Sequence, residues 1–195
     1  MMRRYLILAS MICLAGCGLS AKETTPPPMP PDKPATTTTT ASTPPPEQKN
    51  DPNFNAKRVN QLKDLESRTF KVGNNTIKIW IMDDEGKREE GMMWLTEKEV
   101  KDNEGMLFVF GGEAKQAFWM QNTVLPLDIT YISAKGKVVN TVQGKSFDET
   151  SLPSKGPAKY VLELKKGMAA KFGIKDGMIL DLPKDVKAKD KLSEP

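Results

Sequence analysis

The stretch AFWMQNTVLPLDITYIS, residues 117–133, decides how the folded part of this chain is read. Laid out as a strand, it sends Phe118, Met120 and Asn122 to one side and Trp119 and Gln121 to the other. Pro126 has no N–H to give to a ladder, so it marks the beginning of the next strand rather than its interior. Beyond it, Leu127, Ile129 and Tyr131 share one face and Asp128 and Thr130 the opposite one. The segment predicts two strands meeting at a polar corner. Asp128 has two readings there: it caps the backbone N–H groups of the preceding turn, residues 124–126, or it projects into a cleft.

Working outward, alternation continues on both sides. TFKVG and NTIKIWIM alternate polar and apolar residues around Gly73, which predicts a hairpin. DDEGKREEGMMW breaks the strand pattern with a turn or short helix. Thr96 followed by Glu99 is a capping-box spacing and predicts a short helix over 97–103, ended by Gly105. MLFVF, residues 106–110, is continuously apolar and fits a strand buried on both faces. LDITYIS and KVVNTVQ flank Gly136 as a second hairpin. AKYVLELK alternates, GMAAKFG allows one or two helical turns closed by Gly173, and MILDL reads as a last strand. The expected architecture is mainly β (α+β): a single compact β-barrel or sandwich-like domain over 68–183 with two or three short helices. Residues 184–195 read as a charged flexible tail.

The N-terminal third has a different character. MMRRYLILASMICLAGCGLS places two arginines before about ten mostly apolar residues, too few for a membrane span of roughly 20. Leu14, Ala15, Gly16 and Cys17 resemble the bacterial lipobox, which implies a signal peptide over 1–16 and a lipid-modified Cys17. Gly18 after that cysteine resembles lipoproteins sent to the outer membrane, on its periplasmic side, in organisms that have one. The expected location is the cell envelope, with the lipid bilayer as a partner through Cys17. Residues 18–67 are rich in Thr and Pro as far as about Pro52 and read as a disordered stalk, reaching on the order of 150 Å if polyproline-like. Val59, Leu62 and Leu65 recur at three-residue spacing and suggest a short helix docked on the domain.

Composition narrows the chemistry. The chain has no histidine and 2 cysteines, Cys13 inside the signal segment and Cys17 at the anchor. The domain thus lacks a thiol nucleophile, a disulfide, imidazole metal ligands and the usual general base near neutral pH. We expect no catalytic residues, no metal and no cofactor. A net charge of +4 on 195 residues, without a basic stripe interleaved with aromatics, argues against nucleic acid as a partner.

Four segments in order carry a resemblance: GMM at 91–93, GMLFVF at 105–110, WMQNT with PLD at 119–128, and PAKYVLEL at 157–164. Together they resemble the family known as domain of unknown function 192, over essentially all of the folded domain. The resemblance implies a small β-rich barrel or sandwich with short helices, often behind a signal or lipoprotein leader, with no established enzymatic activity. Two positions depart from the pattern. Leu95 and Gln121 stand where relatives often carry basic residues, which implies weaker binding of an anionic ligand here, or a less charged ligand.

The functional expectation is a membrane-tethered module that binds a small ligand or an envelope protein, without catalysis. Trp119 and Met120 would wall an apolar pocket while Gln121, Asn122, Thr123 and Asp128 orient the ligand. The alternative is a structural or protein-interaction module in which these are core and turn residues. A third reading is a hydrolase using Asp128 with Glu163, which requires carboxyl groups about 5–9.5 Å apart. A fourth is a Cu(I) site among the domain's methionines, seven of the chain's 11. They are spread along different elements as gap-fillers are.

Overall fold

A mixed six-stranded sheet, described in a computed structural model over residues 54–190, organises the domain. The signal segment, Cys17 and the Thr/Pro-rich stalk as far as residue 53 lie outside the described residues. The strands are β1 (Ser67–Val72), β2 (Asn75–Met82), β3 (Glu104–Ala114), β4 (Ala117–Phe118), β5 (Leu127–Ile132), β6 (Val138–Gly144), β7 (Leu152–Pro153) and β8 (Ala158–Lys165). The helices are α1 (Glu85–Glu90) and α2 (Met168–Lys171). The sheet order is β1-β2-β3-β8-β5-β6, while β4 and β7 form a separate two-stranded ribbon. The domain is mainly β with two short helices, as the alternation implied. The sheet stays open, with β1 and β6 at its edges, and does not close into a barrel.

Each strand's pattern has its expected consequence. β5 and β8 are interior strands; all six residues of β5 are buried. In β3, Met106 and Phe108 join the core on one face, with Trp80, Met82, Leu127, Ile129 and Tyr131. Leu107 and Val109 join the other, with Ile77, Ile79, Ile132 and Leu162. Burial of each such side chain is worth about 1.5–3 kcal/mol. The hairpins form where glycine was expected to allow them, with φ of 57° at Gly73 and 78° at Gly136. Pro126 does immediately precede β5.

β2 and β3 pair in parallel, unlike every other pair in the sheet. A parallel pair needs a crossover rather than a tight turn. Residues 83–103 supply it. The crossover opens with α1, whose N-cap Asp84 accepts from the Lys87 backbone N–H at 2.9 Å.

Several local expectations are corrected. The Thr96/Glu99 box is formed, Thr96 N–H and hydroxyl both donating to Glu99 at 2.9 Å, but it closes a turn and not a helix over 97–103. A second turn follows it, Glu104 N–H donating to Lys101 O at 3.1 Å and Lys101 N–H to the Glu104 carboxylate at 3.0 Å, and leads directly into β3. Residues 54–66 form turns rather than a helix, because Val59 is exposed while Leu65 is buried, which breaks the apolar stripe. The MILDL strand reduces to one bridge, Lys137 with Ile179. Residues 184–190, in the segment read as a tail, lie against the domain: Val186 is buried in the core. Lys189 donates from its backbone to Asp83 O at 2.7 Å, and its ammonium meets the Asp83 carboxylate at 2.6 Å.

Candidate functional site

The corner after β4 is built from residues of opposite character. Met120 is fully buried, and its backbone N–H donates to Asp148 O at 2.9 Å. The fit is tight enough to dictate the residue opposite: a Cβ on Gly144 would stand 2.3 Å from the Met120 sulfur. Thr123 is also buried, its hydroxyl donating to Gln121 O at 3.1 Å. Trp119, by contrast, is 39% exposed, and Gln121 and Asn122 are half-buried at the rim. Thus Trp119, Gln121 and Asn122 stay accessible, while Met120 and Thr123 are held within.

Two further loops are locked onto this corner. Trp94, Asn122 and Phe147 all have left-handed backbones, with φ of 63°, 55° and 59°. Asn tolerates that region, but a bulky aromatic residue there is strained. The strained residues are tied together. Trp94 N–H donates to Asn122 O at 2.9 Å, and Phe147 N–H to Thr123 O at 3.1 Å. The Asn122 amide lies 3.9 Å from the Met93 sulfur. Phe147 is 56% exposed, so the corner presents aromatic side chains from separate loops to solvent.

Beneath the loop that carries Met92 and Met93 lies Glu163. It stands on β8 opposite Met106 and Ile129, on the sheet face that carries Phe108 and Tyr131. Gly91 makes this close approach possible: its φ is 44°, and a Cβ there would come within 2.9 Å of the Phe108 ring and 3.5 Å of Glu163 Oε2. Burial drives the Glu163 carboxyl up to about 8, against the opposing pull of the Met92 backbone N–H and the Arg58 charge. Its Oε2 has no hydrogen-bond partner among the described residues. Burial and the nearby Glu163 likewise hold the Tyr131 phenol in its neutral form, and its hydroxyl donates to Leu152 O.

Asp128 belongs to the other side of the sheet. Its Oδ2 accepts from Ala169 N–H at 3.0 Å and its Oδ1 from the Gln143 amide at 3.2 Å. It caps α2, not the turn at 124–126, and it does not join the corner. Glu163 pairs in register with Ile129 and Asp128 with Leu164, so the two carboxylates point to opposite faces. Leu95, where relatives often carry a basic residue, is fully buried in the core. Met82, Met92, Met106 and Met120 are scattered in sequence, yet they pack into one buried cluster.

Sequence reasoning missed Arg58, Trp94 and Phe147. Arg58 lies in a segment read as stalk, and its partners on the crossover loop are distant in sequence, so no local pattern marks it. Trp94 directly follows the GMM motif, a signal that was available. Phe147 has no marker, since only its backbone conformation sets it apart.

These contacts bring the four motif segments together: Met92, Met106, Phe108, Met120, Leu127 and Val161 occupy one core cluster. The comparisons agree with that convergence. The chain is similar to a crystal structure of a protein of unknown function from Novosphingobium aromaticivorans, at 32% identity and a TM-score of 0.56, covering 64% of this chain and 91% of that one. It is also similar to a proposed transcription regulator from Sinorhizobium meliloti, at 30% identity and a TM-score of 0.53, covering 59% of this chain and 90% of that one. No curated protein matches it. The family model of domain of unknown function 192, described as an uncharacterized ACR, matches residues 68–182. With its motifs meeting at one corner of the sheet, the chain belongs to the domain of unknown function 192 family.

Proposed function

We propose that this protein is a non-catalytic recognition module, tethered to a cell-envelope membrane through lipid on Cys17, whose recognition surface is the corner of Trp119, Gln121 and Asn122 with Trp94 and Phe147. One observation carries the reading: three non-glycine residues on three loops hold left-handed backbones and are bonded into one unit. Such strain costs of order 1–3 kcal/mol per residue and concentrates at ligand clamps and switch regions. The exposed Trp119 and Phe147 rings with the Gln121 and Asn122 amides suit a small envelope component that offers a flat apolar face and hydrogen-bonding groups at its edge. Gln121 is neutral where relatives are often basic, which favours a less charged ligand. The experiment is a fragment and metabolite library screened by chemical-shift perturbation on the full chain. Saturable shifts at the Trp119 indole and the Asn122 amide are expected; a library that moves no resonance near Trp119 ends the reading.

A further inference from the structure

Arg58 is held as a ligand is held. Its side chain is 1% exposed, and its guanidinium is read by groups on the crossover loop. Nη1 donates to Gly91 O at 2.9 Å and to Met93 O at 2.5 Å, and Nη2 lies 3.4 Å from Glu90 Oε2. Nε turns back to Asn60 O at 3.2 Å, a contact within the segment itself. Burial works against the Arg58 charge, while Glu90 and then Glu99 support it. An arginine keeps its charge on burial, so the pocket has to compensate that charge with carbonyl acceptors and an acidic neighbour.

The peptide around it is gripped in the same manner. Val59 N–H and Asn60 N–H donate to the Glu90 carboxylate at 2.7 and 2.8 Å. The Asn55 amide donates to Trp94 O at 3.1 Å and Glu99 at 2.9 Å. The Lys57 ammonium sits 4.5 Å from the centre of the Trp94 ring. Val59, in the middle, points its side chain into solvent at 89% exposure. One side chain is thus enclosed, the neighbouring backbone is clamped, and the next side chain is left unread.

The two sides of this contact come from different parts of the chain. Glu90, Gly91, Met93, Trp94, Glu99 and Glu163 all lie within the family-matched region 68–182, whereas Asn55, Lys57 and Arg58 precede it. The occupant also leaves the site incompletely used. Arg58 Nη2 makes its ion pair without a hydrogen bond, and Glu163 Oε2, buried under the same loop, accepts from nothing among the described residues.

We propose that this pocket is a recognition site for an arginine side chain on an extended peptide, occupied here in cis by Arg58, and that an arginine-bearing segment of a protein partner competes for it. The inference shares Trp94 with the corner reading but uses none of Trp119, Gln121, Asn122 or Phe147, and its shifts are read at Gly91 and Met93 rather than at Trp119, so the two can fail separately. Displacing Arg58 would free residues 54–61 from the domain and lengthen whatever links it to the rest of the chain.

The test uses the full chain carrying Arg58→Ala, with N-acetyl-arginine-amide as probe and the citrulline and lysine analogues as controls. Binding is read by calorimetry and by chemical shifts at Gly91 and Met93. The expected result is saturable binding of the arginine probe to the variant, at least tenfold tighter than the neutral citrulline analogue. A peptide of residues 54–61 should bind tighter still, and wild type should bind each at least tenfold more weakly because Arg58 competes. Equal binding of arginine and citrulline probes, or no saturable binding by the folded variant, overturns the proposal. If Arg58→Ala does not fold, Arg58→Lys carries the same assay with the same two outcomes, since a single ammonium nitrogen cannot fill the Nη1, Nη2 and Nε positions together.

Discussion

Replacing Glu163 with Gln removes a proton that the fold holds and the unfolded chain does not. The carboxyl titrates at about 8 in the fold against 4.5 when free, because burial disfavours its charged form. A raised folded value means that the stabilisation is complete below pH 4.5 and is lost as pH rises through 8. Between these limits the native state binds one more proton than the unfolded state, so stability falls by about 1.4 kcal/mol per pH unit. By pH 8 the loss reaches roughly 5 kcal/mol, a large share of the 5–15 kcal/mol typical of a domain. The amide of the Glu163→Gln variant has nothing to titrate, so that protein lacks this slope, and it should overtake wild type as pH rises. The assay is urea unfolding followed by tryptophan fluorescence for both proteins at pH 5, 6, 7 and 8. The difference in unfolding free energy should drift toward the variant by about 1.2–1.4 kcal/mol at each step up to pH 7 and by about 1 kcal/mol over the last, where the folded carboxyl is itself half ionised. A constant offset could come from the altered bond to Met92, but it leaves the slope untouched. Two parallel pH profiles would refute the reasoning and mean that Glu163 is charged in the folded protein near neutral pH.

Three other perturbations follow from single contacts. Gly144→Ala should cost about 1–3 kcal/mol by urea unfolding, since the new methyl collides with Met120; adding Met120→Ala should recover part of the loss through a non-additive cycle. Asp128→Ala should cost about 1–2 kcal/mol and speed hydrogen exchange at the Ala169 amide, whereas a cleft-facing acid would leave that amide unchanged. Asp83 is buried, which alone would raise its value, but hydrogen bonds from Lys189 and Lys87 hold it below 3.8. Its stabilisation is therefore full above that value and lost as pH falls further, so Asp83→Asn should be destabilised at neutral pH and lose less than wild type on acidification, as read by circular dichroism between pH 2 and 6.

Much of the fold could be read because its determinants are local. The alternation in residues 75–82 and 158–165, the apolar run at 106–110 and the glycines at 73 and 136 specify strands and hairpins without reference to distant partners. The parallel pairing of β2 with β3 was not legible, since no periodicity encodes which strands lie side by side. The same distinction divides the site. The motif at residues 119–123 could be quoted from the sequence, but whether each residue points inward or outward depends on Gly144 and the loops around Trp94 and Phe147. A capping role is one of the two sequence readings of Asp128, yet its target, Ala169, lies 41 positions away, beyond the reach of turn chemistry. Arg58 escaped notice because a lone arginine after a proline-rich segment carries no sign of being buried.

The sheet order also sets a timetable for folding. β8 lies between β3 and β5, although it is the last strand in the chain. A chain ending before Ala158 can form the β1-β2 and β5-β6 hairpins, but β3 and β5 each keep an edge with no partner. Long-range pairing of this kind slows folding, and unpaired apolar edges are templates for association between chains. Until residues 158–165 arrive, this domain consists of two halves whose stickiest edges face one another across a gap that only one strand can fill.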